Sequence, residues 1–217
     1  MRKLLPRSMM VGLEPTAAND KMAAVDQPKE GDIVKNRMNC YSLDKEKKRF
    51  VLWIYGPMFH TSHYKKAISI MHTLTPDYIT HIVLHTPGGS IATACNILSA
   101  MERCKAKIIT HNVGEAASCG SLILAFGDKI NIHPFSVTMF HNALFGNYDS
   151  VHRLLTQTQH TIRNTMDLFS KMQKRGVITA EEIEKIVKRG EEFYLTSDVM
   201  TARVKDAGLW YEGGYND

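Results

Sequence analysis

The chain has 217 residues, 44% apolar and 23% charged, the composition of one ordinary globular domain with room for a tail. Wholly disordered, collagen-like and membrane-embedded chains are excluded. The formal charge of +5 would invite a nucleic-acid partner, but 11 Lys/Arg and 7 Asp/Glu fall in residues 1–50, so most of the excess is N-terminal and the remainder is nearly balanced.

The basic start, with Arg2, Lys3 and Arg7, lacks the apolar stretch of ~7–15 residues that a secretory signal needs. No run approaches the ~20 apolar residues of a spanning helix. Residues 1–30, with Pro6, Pro15 and Pro28, are expected to be a flexible leader or pro-segment, and residues 31–217 the folded domain. Lys45-Glu46-Lys47-Lys48-Arg49 reads as a solvated loop before a strand.

Phe50 to Tyr55 is a continuous β-rich run stopped by Gly56-Pro57, the pattern of a buried strand. Ala67, Ile70, Met71 and Leu74 give residues 63–74 a helical spacing. His81 to His85 is a second strand, ended by Pro87-Gly88-Gly89, and a helix is predicted over 90–103. Lys107 to His111 is a third strand. Residues 117–126 form a short, very apolar helix, and Lys129 to His133 and Ser136 to His141 are two further strands. Such alternation predicts α/β layers around a largely parallel sheet.

Residues 149–175 carry apolar side chains at Val151, Leu154, Leu155, Ile162, Met166, Phe169 and Met172. That is one long amphipathic helix, which needs a partner for its stripe. Gly176 ends it. Thr179-Ala180-Glu181-Glu182 has capping-box form and opens another helix, closed by Gly190. Phe193-Tyr194-Leu195 is β-like, and a last helix spans 197–206.

Two glycine-rich turns stand between a strand and a helix: Thr86-Pro87-Gly88-Gly89-Ser90, and Gly114-Glu115-Ala116-Ala117-Ser118-Cys119-Gly120. Each sets free N–H groups at a helix N-terminus, where negative charge is favoured. Ser118 lies among small residues, so a carbonyl can approach it, although a Ser in such a place is also simply a good N-cap. The spacing is not G-x-S-x-G, which disfavours an α/β-hydrolase. A serine nucleophile needs a base, and His141, at the end of Val137-Thr138-Met139-Phe140, is the best placed of ten His. Glu191 and Glu192 are candidates for the group that orients it. The four cysteines, Cys40, Cys95, Cys104 and Cys119, share no CxxC spacing and read as reduced thiols. His60 and His63 form an HxxH pair, but no His/Cys set has zinc-ligand spacing, so neither a metal nor a cofactor is expected.

Taken together, T-P-G-G-S, G-E-A-A-S-C-G, M-F-H-N, the long helix, and F-Y-L-T-S-D followed by K-D-A-G-L resemble the Clp-type serine peptidases (the ClpP family), including those encoded by bacteriophages, over roughly residues 50–211. The resemblance implies an α/β fold of ClpP/crotonase type, a core of ββα repeats with the long helix protruding as a handle between stacked rings. It implies a serine endopeptidase with Ser118 as nucleophile and His141 as base. Gly89 and Cys119 fall where the family's backbone N–H groups form an oxyanion hole. Glu192 falls where the family has its Asp, with Glu191 as the fallback, and Ala143 stands where the family commonly has Pro. Gly88, Ser90, Ile91 and Leu144 are expected at the substrate. The implied partners are further copies of the chain in heptameric rings stacked as a tetradecamer, an ATP-driven unfoldase of the AAA+ class, and peptide or unfolded-protein substrates. Neither nucleic acid nor membrane is expected, and the location is cytoplasmic. Two alternatives are a crotonase-type enzyme acting on an acyl thioester, which shares the fold, and a subunit that assembles without cutting. A membrane-anchored peptidase with a Ser–Lys dyad ranks below both.

Overall fold

A computed structural model describes residues 40–142 and 151–216. The expected leader at 1–30 and Leu144 lie outside the described residues.

The apolar runs become the middle of one sheet. Strands β2 (Arg49–Tyr55), β3 (Ile79–Thr86) and β4 (Lys107–Ala117) lie side by side in parallel. Phe50, Leu52, Ile54, Ile82, Val83 and Leu84 are buried among them. Layers cover both faces of such a sheet, so the central strands need not alternate apolar with polar residues. Two short strands meet β4 along its other edge. β5 (Lys129–Ile132) pairs with Ile109–Asn112, and β6 (Val137–Phe140) pairs with Glu115–Ala117, both in parallel. The edge of β4 is thus forked, and the chain crosses the fork through His133-Pro134-Phe135-Ser136. His133 N–H donates to the Asn112 carbonyl (3.0 Å), and the Ser136 hydroxyl closes the turn on the His133 carbonyl (2.7 Å). Phe135 has φ +67° and is 98% exposed, so the turn owes nothing to burial of that ring.

The antiparallel partners are at the rims. β7 (Phe193–Thr196) pairs with β6. β1 (Tyr41–Asp44), absent from the sequence prediction, forms a hairpin with β2. The basic cluster is the turn of that hairpin: Asp44 Oδ1 accepts from the N–H groups of Glu46 (3.1 Å) and Lys47 (2.9 Å), and Lys48 takes φ +51°. The loop reading holds there.

Among the described residues, six α-helices flank the sheet. The region expected as one helix over 63–74 is a 3-10 turn at Thr61–Tyr64 leading into α1 (Lys65–Met71). α2 (Ile91–Arg103) and α3 (Cys119–Ala125) follow the two glycine turns. α4 (Val151–Lys174) is the long helix, ~36 Å at 1.5 Å per residue. Its C-terminal half packs on the domain through Thr165, Phe169 and Met172, while Leu155, Ile162 and Met166 stay exposed. α5 (Ala180–Glu184) opens with the predicted capping box at Thr179 and Glu182. It runs on into a π turn, Lys185–Arg189, before Gly190 at φ +69°. Glu182 also receives a two-pronged pair from Arg203 (2.9 and 2.6 Å), which ties α5 to α6 (Ser197–Asp206).

Candidate active site

The second glycine turn is less of a loop than its composition suggests. β4 continues through Gly114, Glu115 and Ala116 to Ala117, with two extra residues relative to β3: Leu84 pairs with Asn112, but Thr86 pairs with Ala116. This irregularity is held by Asn112, fully buried. Its Nδ2 donates to the Val137 carbonyl (2.9 Å) and lies 3.1 Å from Thr138 Oγ1, and its Oδ1 accepts from Gly114 N–H (3.3 Å). One buried amide therefore joins β4 to β6 where their ladder of three pairs begins.

Ser118 stands at the break between β4 and α3 with φ +53° and ψ −120°, a conformation that costs a non-glycine residue of order 1–3 kcal/mol. Its backbone is fixed on both sides. Its N–H donates to the Met139 carbonyl (2.9 Å), and its carbonyl accepts from the Ser121 hydroxyl (2.6 Å). The side chain does not cap α3, so the N-cap alternative fails. Instead Ser118 Oγ lies 2.7 Å from Nε2 of His141, the residue after β6. The parallel register pairing Ala117 with Met139 brings the two strand ends level, and each side chain leaves its strand toward the other.

The first turn faces them. Gly88 and Gly89 have φ +97° and +145°. Gly89 pairs with Met58 as one rung of parallel sheet: Met58 N–H donates to the Gly88 carbonyl (2.8 Å) and Ser90 N–H to the Met58 carbonyl (2.7 Å). A Cβ on Gly89 would sit 2.5 Å from Met58 O, and one on Gly88 would sit 2.7 Å from both Ala117 O and Ser118 Cβ. Only glycine lets this strap pass so near the serine. Thr86 links the turn to the strands behind it, its hydroxyl donating to Gly56 O (2.7 Å) and accepting from Gly88 N–H (3.0 Å). On the open side, Cys119 Sγ donates to the Gly89 carbonyl (3.1 Å). Burial pushes the Cys119 thiol pKa up, which keeps it protonated. Cys119 N–H belongs to the first turn of α3 and has no acceptor within that helix.

The two acidic candidates part company. β6 and β7 pair Phe140 with Phe193 and Met139 with Tyr194. Continuing that register by one pair sets Glu192 opposite His141, on the same face. Glu191 turns away, 3.8 Å from Arg189 Nη1. The Glu192 carboxylate accepts from the Tyr194 hydroxyl (3.2 Å), which raises the phenol pKa. Among the described residues, no carboxylate is hydrogen-bonded to the His141 ring.

A cleft of about 650 Å³ opens over the pair. Gly89, Ser90 and Ile91 line one side, and Met139, His141 and Glu192 another. Thr161, Thr165, Leu168 and Phe169 of α4 form a wall that the sequence reading did not assign to the site. Gly88, the other glycine of the strap, is turned from the cleft toward Ala117 and Ser118, so the expectation that it contacts substrate is not met. Asn112 and Met58 were also missed. A polar residue inside an apolar strand run is the one signal that would have drawn attention to Asn112. All four cysteines are free, and among the described residues no group of three or more His, Cys, Asp or Glu could hold a metal ion. No helix among them is long and apolar enough to cross a membrane.

The family model described as Clp protease matches residues 40–203, most of the chain. The chain belongs to the Clp protease family. It therefore has the mixed α/β fold of that family and is assigned to its peptidases, whose members generally form oligomeric rings.

Proposed function

We propose that the protein is a serine endopeptidase that cleaves peptides or unfolded chains inside an oligomeric chamber. The observation that carries this reading is the 2.7 Å contact between Ser118 Oγ and His141 Nε2, made by a serine held at φ +53°. Ser118 Oγ attacks the scissile carbonyl carbon while His141 Nε2 takes its proton. The N–H groups of Gly89 and Cys119 hold the oxyanion. In well-studied proteases such a donor is worth ~3–4 kcal/mol. Collapse breaks the C–N bond, and His141 returns the proton to the leaving amine. Water then hydrolyses the acyl-enzyme with His141 again as base. Glu192, opposite His141, is the acid of the triad. It shifts from the Tyr194 hydroxyl to the imidazolium as charge develops there.

In this reading Ser90 and Ile91 border the bound peptide, and the exposed stripe on α4 is covered by another copy of the chain in a stacked ring. An unfoldase delivers protein substrates, so hydrolysis itself needs no nucleotide. Labelling with a fluorophosphonate tests the assignment. A Ser118-dependent adduct on the assembled protein is expected, and its absence would refute the reading. Glu192→Gln should slow labelling about tenfold or more, while Glu191→Gln should leave it unchanged.

A second reading, an assembly subunit that does not cut, is favoured by the engagement of Glu192 with Tyr194 in place of His141. It requires rings that form normally and take no label.

A further inference from the structure

We propose that the Cys119 side chain is a positioning residue for the oxyanion hole, its thiol binding the Gly89 carbonyl so that the neighbouring Gly89 N–H is held toward the reacting carbonyl. This inference rests on the serine peptidase reading.

In a parallel rung, the N–H and C=O of one residue point to the same edge. At the Met58–Gly89 rung, the bonds to Met58 are made by the Gly88 carbonyl and the Ser90 N–H. The N–H and C=O of Gly89 itself therefore both point away from Met58, toward the first turn of α3. The N–H is the group the reaction needs. The carbonyl beside it is a liability, because it presents a negative dipole next to the site of a developing negative charge.

Cys119 answers it. Its Sγ lies 3.1 Å from Gly89 O, which occupies the carbonyl and leaves the adjacent N–H free for substrate. The contact crosses from the start of α3 to the strap, so it also fixes the separation of the two main-chain donors, Gly89 N–H and Cys119 N–H. The side chain is only 5% exposed, and burial holds the thiol protonated. It therefore serves as a donor and is poorly suited to be a nucleophile. Neither strap glycine accepts a side chain, so no substitution on the strap itself can supply this support.

The donor role predicts an order of variants that simple packing would reverse. Valine fills the space of the thiol but donates nothing; serine donates but fills less. Using the full-length protein, the two-step kinetics of fluorophosphonate labelling at Ser118 separate probe binding from the bond-forming step. Loss of a whole oxyanion donor costs ~100–1,000-fold, and a displaced donor costs part of that. Cys119→Val is expected to slow the bond-forming step about tenfold with probe binding unchanged, and Cys119→Ser to stay within about threefold of the unmodified protein. Cys119→Ala, which needs no extra room, should follow Cys119→Val and replaces it if that variant does not fold. Equal rates for Cys119→Ala and the unmodified protein, or Cys119→Ser as slow as Cys119→Val, would overturn the positioning role while Ser118 labelling still stands. If the unmodified protein takes no Ser118-dependent label, the peptidase reading falls first and this one with it.

Discussion

The two glycine-rich turns look alike as sequence, each a cluster of small residues between a strand and a helix, but the backbone uses them in opposite ways. In the first, glycines carry the left-handed conformation, Gly88 at φ +97° and Gly89 at φ +145°, and the strap is threaded where a Cβ would meet main chain. In the second, the glycines are not among the residues with positive φ, and the serine carries it. Gly114 and Gly120 are small for a different reason: a Cβ on Gly114 would lie 2.5 Å from His85 Nδ1, and one on Gly120 2.6 Å from Thr86 Cγ2. One turn is permissive backbone that lines the cleft. The other is a strand end forced into strain, and its glycines only clear space for side chains from β3. A glycine cluster therefore does not by itself mark where the chain is flexible.

Substitutions can break this contrast. The largest effect is expected from Ser118→Ala, which should cut the rate of peptide hydrolysis by about 10⁴-fold or more while the protein still folds, measured with a fluorogenic peptide beside a denaturation curve. Next is Gly89→Ala. The new Cβ meets the Met58 backbone, which cannot rotate aside, and φ +145° is unfavourable for alanine, so stability should fall by roughly 3 kcal/mol or more. A urea midpoint within experimental error of the unmodified protein would remove the argument for the threaded strap.

Gly120→Ala should cost less, about 1–3 kcal/mol, because the obstacle is a methyl group. That methyl cannot swing away while the Thr86 hydroxyl is bound to both Gly56 O and Gly88 N–H. Thr86→Ser keeps the hydroxyl and removes the methyl. The double variant should therefore be more stable than the sum of the two single changes by about 1 kcal/mol. Strict additivity would show that Gly120 does not clear space for Thr86. The smallest effect isolates the strain itself. Both Ser118→Gly and Ser118→Ala remove the hydroxyl, but only glycine adopts φ +53° freely. Ser118→Gly should be the more stable of the two by about 1 kcal/mol in chemical denaturation, despite the greater freedom of its unfolded chain.

Much of the fold was legible because its elements obey single periodicities. The buried runs at 50–55 and 81–85, the spacing of the long helix and the capping box at Thr179 each rest on a local rule. β1 was not legible, since Tyr41–Asp44 is four residues with no pattern of its own and becomes a strand by pairing with β2. The end of β4 was misread because Gly114 suggests a turn, whereas Asn112 carries the strand past it through bonds to β6. At the site, Ser118 and His141 were marked by motif and context. The choice between Glu191 and Glu192 was left open by the residues themselves. Two neighbouring carboxylates are equivalent until a register assigns them to opposite faces, and the β6–β7 pairing does that. Met58 and the α4 wall come from distant parts of the chain with no local mark.

The fork along β4 carries one more consequence, for chain length. Between its pairing with β5 and its pairing with β6, β4 advances from Asn112 to Glu115, while the facing segment goes from Ile132 to Val137 through His133-Pro134-Phe135-Ser136. That short crossing is the spacer that determines which residue of β6 arrives beside Ser118. Side chains alternate faces along a strand, so a deletion of one residue there would turn His141 to the opposite side of the sheet, while the Phe135 ring, 98% exposed, can be exchanged for any side chain that tolerates φ +67°. Surface turns usually tolerate changes in length better than changes elsewhere. Here the length of the turn is the constrained quantity, together with the Ser136 hydroxyl that closes it.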